Sequence, residues 1–144
     1  MEVSPLLGPV VALVAWTLVM LVWLAFSRGA AAKKAGINLG ASRGGRGQDL
    51  EGKVPPEAQW KAHNYAHLME QPTIFYAIVF ALVLMGMDQP INVWLAWGYV
   101  AFRVAHSIVQ ATVNIVKYRF AMFALSTFCL LGLTVHAAAR LLHG

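Results

Sequence analysis

Four apolar runs, each about as long as a bilayer is thick, dominate this chain and leave little else for it to be. They lie at about residues 6–26, 57–87, 91–116 and 120–142, and a membrane-crossing helix needs roughly 20 mostly apolar residues. The expected fold class is therefore all-α, an integral membrane four-helix bundle in which residues 1–144 form one domain. Composition agrees with that reading. Hydrophobic residues make up 59% of the chain and charged residues only 12%, against about 25% charged in an ordinary soluble domain.

The short connections leave one long polar segment, 27–56, in which Gly36, Gly40, Gly44, Gly45, Gly47 and Gly52 alternate with Arg43, Arg46, Asp49, Glu51 and Lys53. It has no helical or strand periodicity. It also lacks a Walker spacing and a preceding strand, which argues against phosphate binding. The first run carries no Lys or Arg before it and is followed by Arg28, Lys33 and Lys34, the flanks of a retained span and not of a cleaved signal. Basic residues cluster at Arg28, Lys33, Lys34, Arg43, Arg46, Lys53, Lys61, Lys117 and Arg119. All nine fall on the side shared by the first and third connections. The positive-inside rule then places both connections in the cytoplasm and both termini on the non-cytoplasmic side, in the inner (cytoplasmic) membrane. The net charge of +5 is accounted for by these span ends, so no nucleic-acid partner is expected. Cys129 is the only cysteine and is read as helix packing.

Ionisable residues inside the apolar runs are the exceptions that point to function. His63, His67 and Glu70 are spaced i, i+4, i+7, which puts them on one stripe of the second helix, and Pro72 predicts a bend just after Glu70. In the third run Arg103, His106, Gln110, Asn114 and Lys117 recur at intervals of 3, 4, 4 and 3, again a single stripe. Arg103 is the expected counter-charge for Glu70, or for a bound anion. Together the two stripes predict a polar cleft open to the cytoplasm and suited to a charged, peptide-like ligand. Arginine forks hold carboxylates, a glutamate takes an ammonium group, and a nearby cation favours a thiolate. A rival reading makes His63, His67, Glu70 and His106 a metal set. The favoured reading assigns no metal.

The segment Ala62–Phe75 (Ala-His-x-x-x-His-x-x-Glu-x-Pro-x-Phe), the segment Tyr99–His106 (Tyr-x-x-x-Arg-x-x-His) and the basic turn before the last span resemble the MAPEG family, membrane-associated proteins in eicosanoid and glutathione metabolism, in a bacterial-type member. The resemblance covers nearly the whole chain. It implies a homotrimer of four-helix subunits, with glutathione in clefts between neighbours and a lipophilic co-substrate arriving from the bilayer lipids. Glu70 matches the family's signature glutamate and Arg103 its third-span arginine. His67 stands where the family usually has asparagine and His63 where it usually has arginine. His106 and Gln110 stand where family enzymes commonly carry tyrosines. The arginine that stabilises the glutathione thiolate corresponds to Lys117 or Arg119.

Two functions follow from the resemblance. One is a membrane-bound glutathione-dependent transferase or peroxidase acting on lipophilic electrophiles, with Glu70, Arg103, His67, His106, His63 and Gln110 binding glutathione and Lys117 or Arg119 catalytic. The other is a non-catalytic lipid-binding or scaffold protein of the same fold, suggested by the altered family positions.

Overall fold

The computed structural model describes residues 3–144. The chain is a bundle of five helical segments that make four crossings: α1 (Leu7–Lys34), α2 (Pro56–Leu68), α3 (Gln71–Leu84), α4 (Pro90–Ala111) and α5 (Val116–His143). Three stretches, Leu7–Lys34, Pro56–Leu84 and Val116–His143, are long and apolar enough to cross a membrane. At 22 residues and 1.5 Å per residue, α4 is about 33 Å long, a length that also suffices to reach across. Its polar stripe lowers its hydropathy and explains why it is the most enclosed helix. Asn92, Tyr99, Arg103, His106, Ser107 and Gln110 are all buried on it.

Inside a bilayer the bundle is turned partly outward, because hydrocarbon is as good a solvent for leucine as another helix is. Val11, Leu18, Val22 and Phe26 on α1, and Phe128, Leu131 and Val135 on α5, are exposed apolar residues, as expected for helices set in a bilayer. Close helix approach is provided by small residues instead. A Cβ on Gly98 would stand 3.1 Å from Cys129 Sγ, and one on Gly132 would stand 3.0 Å from Leu95 Cδ1. These two glycines let α4 and α5 lie against each other, and Cys129 sits in their seam.

Buried polar groups fix the register of the bundle. Trp16 Nε1 donates to Ser107 Oγ at 2.9 Å, and Asn64 Nδ2 meets the same oxygen at 2.5 Å, tying α1 and α2 to α4. At the opposite end Asn92 Nδ2 donates to Met87 O at 2.9 Å while its Oδ1 lies 2.6 Å from His136 Nδ1. His136 is thus a packing residue that locks α5 onto the α3–α4 turn.

Two boundaries differ from those the sequence suggests. The second crossing is interrupted and not merely bent: α2 stops at Leu68, Glu70 has φ −91° and ψ −96°, and α3 starts at Gln71. Pro72 has no N–H to offer and its ring crowds the carbonyl four residues back, at Leu68, so the helix ends there and restarts. The last turn is not at 117–119 either. α4 ends at Ala111, residues 112–115 form the turn, and Lys117 and Arg119 already belong to the first turn of α5. The signal is Asn114, which takes a left-handed φ of 51° and whose N–H returns to Val109 O at 2.7 Å. Asparagine tolerates that conformation and can end a helix where glycine is absent. The polar stripe of α4 therefore stops at Gln110.

The polar segment between α1 and α2 is folded, though not periodic. It makes two short 3₁₀ turns at Leu39–Ala41 and Gly47–Leu50. Asn38 Oδ1 accepts from the N–H groups of Gly40 and Ala41, and Leu50 and Val54 are buried beneath it. Gln59 Nε2 donates to Gly47 O at 3.0 Å and fastens the segment to α2.

Candidate functional site

The interruption in the second crossing creates the site. Ending α2 at Leu68 frees carbonyls of its last turn, and a cation near a helix C-terminus is favoured both as a donor and by the helix dipole. Arg103, one of the largest fully buried side chains, supplies that cation. Its Nη2 donates to His67 O at 3.1 Å, its Cζ lies 5.7 Å from the centre of the Phe123 ring, and its Nε is buried without a partner. Arg103 and the break lie at one depth. Arg103 is 13 residues from the start of α4, about 20 Å, and Glu70 precedes a 14-residue α3 of about 21 Å.

The Glu70–Arg103 ion pair expected from the sequence does not form within the chain. Among the described residues Arg103 makes no ion pair, whereas Glu70 Oε2 lies 2.9 Å from His67 Nδ1 with the carboxylate largely exposed. The physical reason is the broken helix. Glu70 leaves the helical path, so its side chain turns toward the open side, and the arginine stays with the His67 carbonyl, which it shares with the Glu70 N–H. Since a carboxylate only accepts, Nδ1 of His67 carries the hydrogen in this contact.

His106 stands behind them, its ring 6.3 Å from that of His67 in an edge-on arrangement. Its Nδ1 donates to Arg119 O at 2.9 Å and its Nε2 lies 3.1 Å from Gln110 Oε1. A neutral ring that donates through Nδ1 can only accept through Nε2, so the Gln110 amide then turns its NH₂ toward the ring. Either way Gln110 is buried and acts on His106. Arg119 Nη1 donates to Asn114 Oδ1 at 2.6 Å, so the residue that ends α4 also aims this guanidinium.

These groups line a single cleft of about 300 Å³: His67, Glu70, Arg103, His106 and Arg119 on the polar side, with Val116, Phe120 and Phe123 as an apolar wall. Five of the residues singled out in the sequence are thereby brought together. Three others are not. His63 is pulled away to Glu51 Oε1, at 3.0 Å, on the side of the glycine-rich segment. Gln110 lies behind the wall, and Lys117 is exposed and outside the lining. No group of three or more His, Cys, Asp or Glu side chains is placed to hold a metal ion among the described residues.

The sequence reading missed the apolar wall and a chain of hydrogen bonds beneath the cleft. Tyr99 OH donates to Gln71 Oε1 at 3.1 Å, and Gln71 Nε2 donates to Thr127 Oγ1 at 3.0 Å. The Tyr99 ring stacks on Phe75 with centroids 4.2 Å apart. This chain fixes the first residue of α3, immediately after Glu70. Its sequence signal was the tyrosine one helical turn before Arg103.

The cleft offers donors to anionic groups and one carboxylate to a cationic group. Two guanidiniums, one of them with an unused buried N–H, match carboxylates. An open carboxylate matches an ammonium group, and aromatic rings border the apolar side. No curated protein and no solved structure matches the chain. The model of the MAPEG family matches residues 6–139, a range that takes in nearly all of the four crossings and every residue of the cleft, and the chain belongs to that family.

Proposed function

We propose that the protein is a membrane-bound glutathione-dependent transferase or peroxidase acting on lipophilic electrophiles. Membership of a glutathione-associated membrane family supports the general chemistry, and one observation carries the specific reading: a cleft that gathers Arg103, Arg119 and an exposed Glu70 beside an aromatic wall. Glutathione brings two carboxylates, one ammonium group and a thiol that serves as the nucleophile. Arg103 and Arg119 hold negative charge, Glu70 takes the ammonium, and His67 keeps Glu70 oriented. Arg119 is also the cation that lowers the cost of a thiolate in the cleft. Phe120 and Phe123 keep water from the lipid side, where the co-substrate approaches. The working form is a homotrimer with each cleft closed by a neighbour, and the basic connections face the cytoplasm.

The test is calorimetric binding of glutathione to the purified protein, followed by conjugation to a chromogenic aryl halide. Arg103→Ala is expected to weaken binding about tenfold to a hundredfold, the range for losing a charged hydrogen bond. Absence of both binding and conjugation in the wild-type protein would sink the reading. A second reading, a non-catalytic lipid-binding or scaffold role, is favoured by the absence of any hydroxyl among the described residues lining the cleft. Glutathione turnover that is lost in Arg103→Ala excludes it.

A further inference from the structure

A second group of cations lies beneath the glycine-rich segment, apart from the cleft. Arg28, Arg43, Arg46 and Lys53 line a hollow of about 550 Å³ between the end of α1 and the segment that follows, with Asp49 as the one carboxylate on its wall. Asp49 is already committed to Arg46, whose N–H it accepts at 2.8 Å and whose Nη2 it accepts at 3.3 Å. Arg28, Arg43 and Lys53 make no ion pair among the described residues.

Arg28 is the most informative of these. Its guanidinium lies so close to Gly47 that a Cβ there would collide with it. Its Nη2 reaches only the neutral Oε1 of Gln59, at 3.4 Å, and its Nε is buried with no partner. Arg28 is partly buried, its Nε has no partner and the one side chain it reaches is a neutral amide, so its charge is unpaired within the described residues. Its unused hydrogen-bonding capacity is open to an anion from outside the chain.

We propose that this hollow binds a phosphate group. Three arginine forks and a lysine around one space suit a multivalent tetrahedral anion, and Gly47 permits the close approach that holds Arg28 in place. The segment is not a P-loop, because side-chain cations and not a cradle of backbone N–H groups surround the space. Ile37 and Leu39 line the same hollow, which suits a phosphate carried on an organic body. At 28 residues α1 is about 42 Å long, so its end stands at the headgroup level of a bilayer whose hydrocarbon is about 30 Å thick. Lipid headgroups and soluble phosphates share the required chemistry. The site is independent of the glutathione reading.

Limited trypsin cleavage after Arg46, read by mass spectrometry in phosphatidylcholine nanodiscs, tests the proposal. One arm compares potassium phosphate with potassium chloride at equal ionic strength. The other replaces part of the phosphatidylcholine with phosphatidylglycerol. Protection of about fivefold or more is expected in at least one arm, as for one favourable charge contact at a membrane surface, and the arm that responds identifies the source. The variant Arg43→Gln/Lys53→Gln keeps the cleavage site, changes only exposed residues and is expected to lose the protection. Equal rates in both arms and their controls, or full protection in that variant, overturns the proposal.

Discussion

Arg119 and Lys117 differ by two positions, and that difference decides which of them faces the cleft. Arg119 lines the cleft, is held at 2.6 Å by Asn114 and offers its carbonyl to His106, whereas Lys117 is exposed outside it. A neighbouring cation favours a thiolate by about one pKa unit or more. Arg119→Gln is therefore expected to raise the pH midpoint of thiolate formation in the glutathione complex by about 1 unit, and Lys117→Gln to leave it unchanged. Ultraviolet thiolate absorbance across a pH series measures both. A shift in the lysine variant alone would reverse the assignment. The sequence could not separate the two because helical phase depends on where α4 ends, and that rests on a left-handed asparagine and not on a glycine or proline. Glu70, His67, Arg103 and His106 line one cleft and stood out by spacing alone, since an ionisable residue in or beside an apolar run has few explanations. His63 was misleading: its phase is right for a continuous helix, but its partner Glu51 lies in a segment whose path no periodicity reveals.

The break between α2 and α3 is the element on which the cleft depends. It lets the His67 carbonyl, which accepts the Glu70 N–H at 3.2 Å, accept from Arg103 as well and turns Glu70 out of the helical path. Pro72→Ala restores a backbone N–H and removes the ring that crowds Leu68, so α2 and α3 are expected to run together. Glutathione affinity should then fall about tenfold, as for one misplaced charged contact, while far-ultraviolet circular dichroism shows no loss of helix. Unchanged affinity would mean that the tertiary contacts of Arg103 hold the break without proline. The α4–α5 seam makes a separate demand. With Cys129 Sγ 3.1 Å from the position of a Cβ on Gly98, Gly98→Val must push the helices apart. The expected cost is about 1–3 kcal/mol, read as a lower thermal midpoint in detergent. Proline marked the break in the sequence, whereas the seam could not be read there because a glycine in an apolar helix carries no sign of what it faces.

At the scale of the molecule, the all-helical membrane fold was written in the apolar runs, because hydrocarbon thickness sets their length independently of any packing detail. The way four crossings enclose α4 was less legible: lipid-facing and core-facing residues are equally apolar, so only the polar stripe distinguished the enclosed helix. The basic residues gathered at one end predict that end to be cytoplasmic. A C-terminal alkaline phosphatase fusion is accordingly expected to be active and a C-terminal fluorescent-protein fusion dark, with the reverse result contradicting the orientation.

Assembly is the last demand that the site makes on the whole molecule. Glu70 and His67 are 64% and 45% exposed at their side chains, too open for charged hydrogen bonds to act at the strength a dry site allows. A neighbour closing the cleft would exclude water from them, which is the physical content of the proposed homotrimer. Binding and assembly are then linked, so that glutathione stabilises the trimer and dilution weakens glutathione binding by the same coupling. Native mass spectrometry across a dilution series should show trimers persisting to lower protein concentration when glutathione is present. Arg103→Ala should abolish that difference without dissolving the apo trimer. Monomers that bind glutathione as tightly as trimers would place the complete site within one chain and leave the openness of Glu70 to be explained by the lipid alone.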